Sequence, residues 1–243
     1  MKIMPSQILG IVLLLALSAC IGPDKDIQQG GGPGWYRVKT DDTLYSIAWR
    51  YGLDYKEVAR WNQIDVDSII YPGQRLLLIE PEHVARPLVS AQSASPKPAA
   101  AVLSSGNRAT TPADRGKPPS RWSWPTDGHL IRTFAANDLD RRGIDIAGKP
   151  GQAIYSVADG RVVYSGNNLA GYGNLIIIKH GHTYLSAYAY NQQRLVQEGM
   201  NVKAGDIIAR MGSYKTENAR LHFQIRKNGK PVNPIQYLPE RND

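Results

Sequence analysis

Between residues 122 and 239 the chain breaks into short β-type runs at close spacing: 153–157, 161–165, 175–180, 183–190, 207–211 and 221–226. Asp159-Gly160 and Asn228-Gly229 punctuate them, and Asn-Gly between alternating apolar residues is a strong hairpin signal. No segment of this region offers a long amphipathic helix. The runs have only one another to pack against, so antiparallel sheets sharing one core are expected.

Two of the extended stretches should face each other: Arg141-Arg142-Gly143-Ile144-Asp145 and Arg220-Leu221-His222-Phe223-Gln224-Ile225. Residues two apart on a strand share a face. Arg141 should then point the same way as Asp145, and Arg220 the same way as His222, with Leu221, Phe223 and Ile225 buried on the other side. One carboxylate and one imidazole would meet there with two guanidinium groups.

With the run Gly171-Tyr172-Gly173-Asn174 and the triplet Tyr188-Ala189-Tyr190, these stretches resemble the LytM or lysostaphin-type zinc endopeptidases of bacterial cell walls, over roughly residues 122–239. Active members of that family carry His-x-x-x-Asp, Tyr-x-His and His-x-His. The first His, the Asp and the last His bind zinc, and the other two His assist the attacking water. On this sequence the five positions are Arg141, Asp145, Tyr190, Arg220 and His222. Three of the five are wrong for catalysis.

A catalytic zinc takes three protein ligands plus an open position, and only Asp145 and His222 can serve. Arginine offers donors only and stays protonated. At ~4 Å and an effective dielectric of ~20, it would repel a dication by roughly 8 kcal/mol. The arginines are expected to replace the metal, each able to pair with Asp145. Tyr190, ordinarily titrating near pH 10, cannot replace a histidine base at neutral pH without a large shift. The resemblance therefore implies a peptidase scaffold without catalysis, metal or cofactor.

The N-terminus reads as an export signal. Lys2 precedes a ten-residue apolar run, 8–17, too short to span a bilayer. Leu17-Ser18-Ala19-Cys20 resembles a bacterial lipobox, and Cys20 is the only cysteine. A lipid-modified Cys20 needs no disulfide partner, and two or three acyl chains anchor firmly. Ile21 follows where Asp would favour inner-membrane retention, so the periplasmic face of the outer membrane is expected. Removing residues 1–19 leaves 28 basic against 21 acidic residues, a charge of +7. Such a surface suits peptidoglycan carboxylates, phospholipid head groups or an acidic partner. No run of basic residues with interleaved aromatics points to nucleic acid.

Residues 20–34 are polar and Gly-rich, a flexible spacer. A strand at 36–38 leads to Thr40-Asp41-Asp42-Thr43, which offers N-caps for a helix through Leu44, Ile47, Ala48 and Tyr51, stopped by Gly52. A second helix begins at Tyr55 and ends before Asn62; Tyr71-Pro72-Gly73-Gln74 turns into a strand at 75–79. With Tyr36-Arg37-Val38, Asp42-Thr43-Leu44 and Pro72-Gly73-Gln74, this strand-helix-helix-strand plan resembles a LysM domain, a binder of N-acetylglucosamine-containing glycans. The resemblance places glycan contacts at Asp42, Thr43, Leu44, Ile70, Tyr71 and Pro72, although Leu44 is equally well explained as core. Tyr71 has the aromatic face and polar tip that suit a sugar ring.

Residues 81–120 hold seven of the sixteen prolines, with many Ala and Ser. A disordered linker of about 35 Å r.m.s. span is expected, letting the two domains search independently. The fold class is thus multidomain: a small α+β LysM domain at 35–80 and an all-β antiparallel LytM-like domain at 121–243. His180-Gly181-His182 falls where a hairpin turn is wanted, so a structural role is expected. His83 and His129 have no evident partner.

A lipobox, a LysM domain and a degenerate LytM domain together resemble the NlpD type of lipoprotein. What that implies is activation of periplasmic zinc-dependent N-acetylmuramoyl-L-alanine amidases when daughter cells separate, with Arg141, Tyr190, Arg220 and the loop holding Asn167 and Tyr172 as the docking surface. The segment 213–219 lacks the Thr-Gly pair common in that group. Two alternatives remain: a tether between outer membrane and wall, and a zinc endopeptidase recruiting His180 or His182.

Overall fold

The structure is a computed structural model and describes residues 34–81, 119–138, 141–213 and 218–241. The lipobox Cys20, His83, most of the expected linker and residues 214–217 lie outside the described residues.

The first unit pairs β1 (Trp35–Arg37) antiparallel with β2 (Arg75–Leu77), with α1 (Leu44–Tyr51) and α2 (Tyr55–Trp61) between them. Thr43 caps α1 in a reciprocal capping box with Ser46, and Gly52 ends it at φ 68. Asp54 accepts the Lys56 N–H at the start of α2. Asn62 then ties the end of α2 to β2, donating to the Val58 and Leu77 carbonyls and accepting the Leu77 N–H. Ile47, Val58, Leu76 and Leu78 form the centre of this small core, each fully buried.

The second unit is all antiparallel β. Its strands are β3 (Leu130–Arg132), β4 (Ile144–Ala147), β5 (Ala153–Tyr155), β6 (Gly160–Gly166), β7 (Asn174–His180), β8 (Tyr184–Arg194), β9 (Asn201–Val202), β10 (Ile207–Met211), β11 (Arg220–Lys227) and β12 (Lys230–Val232). The main sheet runs β3-β4-β11-β8-β7-β6-β9, β10 bridges β5 and β8, and the Asn228-Gly229 turn joins β11 to β12. Register fixes two faces. Phe223 opposite Tyr188, itself opposite Ile176, defines the inner face, which packs with Ile144, Ile146, Ile178, Leu221 and Ile225. His222 opposite Ala189 and Asp145, with Ala187 opposite Gln224 and Ile177, defines the outer face.

The outer face is not left to solvent. Leu175, Ile177, Leu185, Ala187 and Ala189 share one apolar cluster with Ile47, Trp49 and Tyr55 of the first unit. The unbroken apolar run Leu175-Ile176-Ile177-Ile178 makes sense on these terms, because a strand covered on both sides loses its alternation. Two units searching independently are therefore not what the structure holds; they are packed together.

A second expectation also fails. Arg141 is not on an extended segment shared with Asp145: it lies in a 3-10 turn, and β4 begins only at Ile144. Gly143 lies so close to β11 that a Cβ there would stand 2.3 Å from the Phe223 carbonyl oxygen. The chain enters β4 by a turn rather than along a strand.

Candidate functional site

β11 is the source of the site. Its alternation buries Leu221, Phe223 and Ile225 inside and sends Arg220, His222, Gln224 and Arg226 to the outer face. Asp145 stands opposite His222 in the ladder, and the two meet at 2.6 Å between Oδ1 and Nδ1. The Gln224 amide lies 2.8 Å from His222 Nε2 and also donates to the Tyr172 hydroxyl. With these partners the imidazole donates from Nδ1 to Asp145 and accepts at Nε2 from Gln224.

Tyr172 comes from a turn flanked by Gly171 and Gly173, both at positive φ. Tyr190 also adopts positive φ, 67°, where the β8 register shifts beside β7 and β10, and its N–H bonds the Tyr172 carbonyl. This tyrosine in a left-handed conformation is local strain of a kind that gathers at functional sites. The strain turns its ring to 5.4 Å from the His222 ring, and the Arg220 guanidinium lies 5.2 Å over it. Burial, then the Asp145 carboxylate, raise the Tyr190 phenol above its ordinary range, so it is no neutral-pH base.

Asp145 is fully buried, and its second oxygen faces two guanidinium groups: Arg132 at 3.5 Å and Arg220 at 3.6 Å. The expected pairing is thus half right. Arg141 turns away, donating to the Thr133 carbonyl and hydroxyl at 3.2 and 3.0 Å. Arg132, delivered by β3 opposite Asp145, stands where Arg141 was expected. Its only sequence signal is a basic residue in a short apolar run before the first motif.

These residues do not fit a catalytic zinc. Asp145 and His222 are bonded to each other, and cations occupy the remaining side of the carboxylate. No group of three His, Cys, Asp or Glu suited to a metal occurs among the described residues. The alternative ligands are elsewhere. His180 is buried on the inner face, donating from Nδ1 to the Asp159 carbonyl at 2.8 Å and accepting the Ser186 hydroxyl at 2.7 Å; burial pushes it down to about 4. His182 is exposed in the turn that Gly181 makes at φ 61, and His129 is exposed beside β3.

The cleft beside the pair has a volume of about 290 Å³, and Arg132, Arg142, Arg226, Tyr172, Tyr190 and Trp49 are among its walls. No carboxylate is among its lining residues. A cationic hollow with aromatic walls suits an acidic group carried on an apolar segment. Asn167 is exposed and lines a different hollow, beside Asp41 and Asp42, and Arg141 lines a third with Thr133.

In the first unit the expected glycan contacts divide. Tyr71 and Pro72 are exposed, as is Ile69, which the sequence reading passed over. Leu44 and Ile70 are buried core, and Asp42 is engaged internally by the Tyr36 hydroxyl, the Lys39 N–H and Arg50. Thr43, besides capping α1, donates to the Val163 carbonyl of β6.

Residues 36–78 match the family model described as LysM domain, and residues 140–234 match Peptidase family M23. The chain is 39% identical to Murein hydrolase activator NlpD of Escherichia coli, covering 85% of this chain and 68% of that protein. It is 40% identical to Lipoprotein NlpD/LppB homolog of Pseudomonas aeruginosa, covering 96% and 92%. Identity to Outer membrane antigenic lipoprotein B of Haemophilus influenzae is 36%, covering 84% and 64%.

Proposed function

Because the chain belongs to the NlpD family of LysM- and M23-containing lipoproteins, we propose that it is a non-catalytic activator of periplasmic zinc-dependent N-acetylmuramoyl-L-alanine amidases. In this reading it is acylated at Cys20, held on the periplasmic face of the outer membrane, bound to peptidoglycan through its LysM unit, and active in septal wall splitting. The names of its relatives, a murein hydrolase activator and an outer membrane lipoprotein, support that assignment.

The observation that carries the reading is the fate of the peptidase centre. Asp145 and His222 persist, but guanidinium groups stand beside them in place of further ligands. A groove that keeps its shape while losing its chemistry is suited to holding a chain without cutting it. Tyr190 and Tyr172 line it, Arg220 lies over the Tyr190 ring, and Arg141 and Asn167 are outlying contacts. Docking there activates only if the protein binds the active form of the amidase more tightly than the inhibited one, and that difference limits the shift.

Dye release from labelled peptidoglycan tests this, using residues 21–243 with and without a periplasmic amidase, and each component alone. Release only in the mixture is expected. Release by the chain alone, lost on chelation and restored by zinc, would establish an endopeptidase; silence in every tube, with an amidase shown to be activatable, would favour a tether.

A further inference from the structure

The LysM unit rests on the same outer face that carries the Asp145–His222 cleft. Its hold centres on two cations of the sheet. The Arg226 guanidinium stacks 3.6 Å from the centre of the Trp49 ring and donates to the Trp49 carbonyl at 3.0 Å. Lys179 of β7 lies under the Tyr45 and Tyr55 rings, 5.6 and 5.7 Å from their centres, and 3.6 Å from the Asp67 carboxylate. The β11–β12 turn approaches so closely that a Cβ on Gly229 would come within 2.7 Å of Asp54.

Two observations mark this seat as one that comes off. Arg226 is 2% exposed yet pairs with no carboxylate among the described residues, and its Nε, like Trp49 Nε1, has no hydrogen-bond partner. A buried cation held without a counter-charge is a weak way to join two units; burial pushes it down to about 10, and it remains charged at neutral pH. The seat also uses part of the LysM side on which the sequence places glycan contacts. Thr43, Leu44 and Ile70 share a hollow of about 290 Å³ with Arg161, Val163 and Glu198 of the second unit. That is the lower end of the ~300–1,000 Å³ that holds a small ligand, and a polymer threading the groove needs the second unit out of its way.

We propose that the LysM unit is a resident cover on the cleft face, and that wall glycan and this face compete for one side of LysM. Glycan capture lifts the cover and exposes a groove with an apolar floor, Leu175, Ile177, Ala187 and Ala189, and an arginine rim. The partner that fits is a hydrolase segment with apolar side chains and an acidic flank. The competition rests on the reading of LysM as a glycan binder, and the identity of that partner on the amidase reading. Because only the uncovered form binds, whatever weakens the seat strengthens glycan binding in proportion to the uncovered fraction it gains.

The test uses residues 21–243 and a chitin oligosaccharide of five N-acetylglucosamine units as probe. Acetylation of the Lys179 amine, followed by mass spectrometry, should speed up roughly threefold or more at saturating oligosaccharide as the cover leaves. Arg226→Ala and Lys179→Asp, both outside the LysM unit, should bind the oligosaccharide roughly fivefold more tightly than the wild type. Adding Asp67→Lys to Lys179→Asp should restore the weaker binding. Unchanged Lys179 labelling with equal affinities in all forms would overturn the proposal, as would absence of binding to every form. In a parallel dye-release assay Lys179→Asp, which leaves the cleft walls intact, should stimulate the amidase without oligosaccharide. Stimulation by no form would overturn the amidase as partner and leave the competition standing.

Discussion

The inner and outer faces of the central sheet solve the burial of polar groups in opposite ways. On the inner face His180, Ser186 and Tyr188 form a closed chain: the Asp159 carbonyl accepts the imidazole Nδ1–H, and the Tyr188 hydroxyl accepts the Val157 N–H at 3.0 Å. On the outer face, on β4 and β11, Asp145 Oδ2 and Arg220 Nε meet only at 3.6 Å, and Gln224 Oε1 and Arg226 Nε are buried without a hydrogen-bond partner. Unmet groups in a native protein call for an explanation. A face selected only for stability looks like the inner one; the outer face looks like a surface that expects a visitor.

The sharpest way to break this contrast is to exchange the roles. Phe223→Ala on the inner face should lower stability by about 3–5 kcal/mol in urea unfolding, because a fully buried ring leaves a cavity. Next in size is pH. His180 is held neutral by burial, with its proton affinity lowered from 6.5 to about 4. The folded state resists a proton that the unfolded chain accepts, so stability is intact above pH 6.5 and falls as pH drops towards 4. The loss approaches about 3 kcal/mol once both states are protonated. His180→Gln should flatten that dependence; an identical slope in the variant would assign it to other groups.

On the outer face the larger effect moves to function. Arg220→Gln leaves the buried Asp145 carboxylate to Arg132 and His222 and should cost roughly 1–3 kcal/mol, yet cut amidase stimulation roughly tenfold. A stable Arg220→Gln protein that stimulates fully would sink the docking role of the cleft. Arg141→Glu comes last. Its side chain is held on Thr133 outside the cleft, and a rim charge acts mostly on encounter, so roughly a threefold loss at low salt is expected. Full stimulation would remove Arg141 from the surface.

Much of this was legible in the sequence, and the reasons for the failures are physical. The period-two pattern of residues 220–225 placed His222 and Arg220 on one face because the pattern is local and the strand is regular. His180-Gly181-His182 read as a turn because glycine permits positive φ there. Arg141 was misplaced because the same pattern was extended through Arg142-Gly143, where the close approach of β11 demands a bend. Arg132 was missed because it reaches Asp145 through pairing of β3 with β4, which no local pattern encodes. The packing of the two units left one trace, the run Leu175–Ile178, whose meaning depends on knowing what covers the second side.

Trp49 and Arg226 set a rule for how the protein responds to its medium. Charges on a wet surface, such as Lys203 and Asp159 at 2.9 Å, fade as dissolved ions crowd around them; a guanidinium pressed on an indole in a dry interior has no ions to crowd it. Ionic strength is therefore a dial that turns down the rim, the half-exposed Lys179–Asp67 pair of the seat included, and leaves the Trp49–Arg226 contact as the part that salt does not reach.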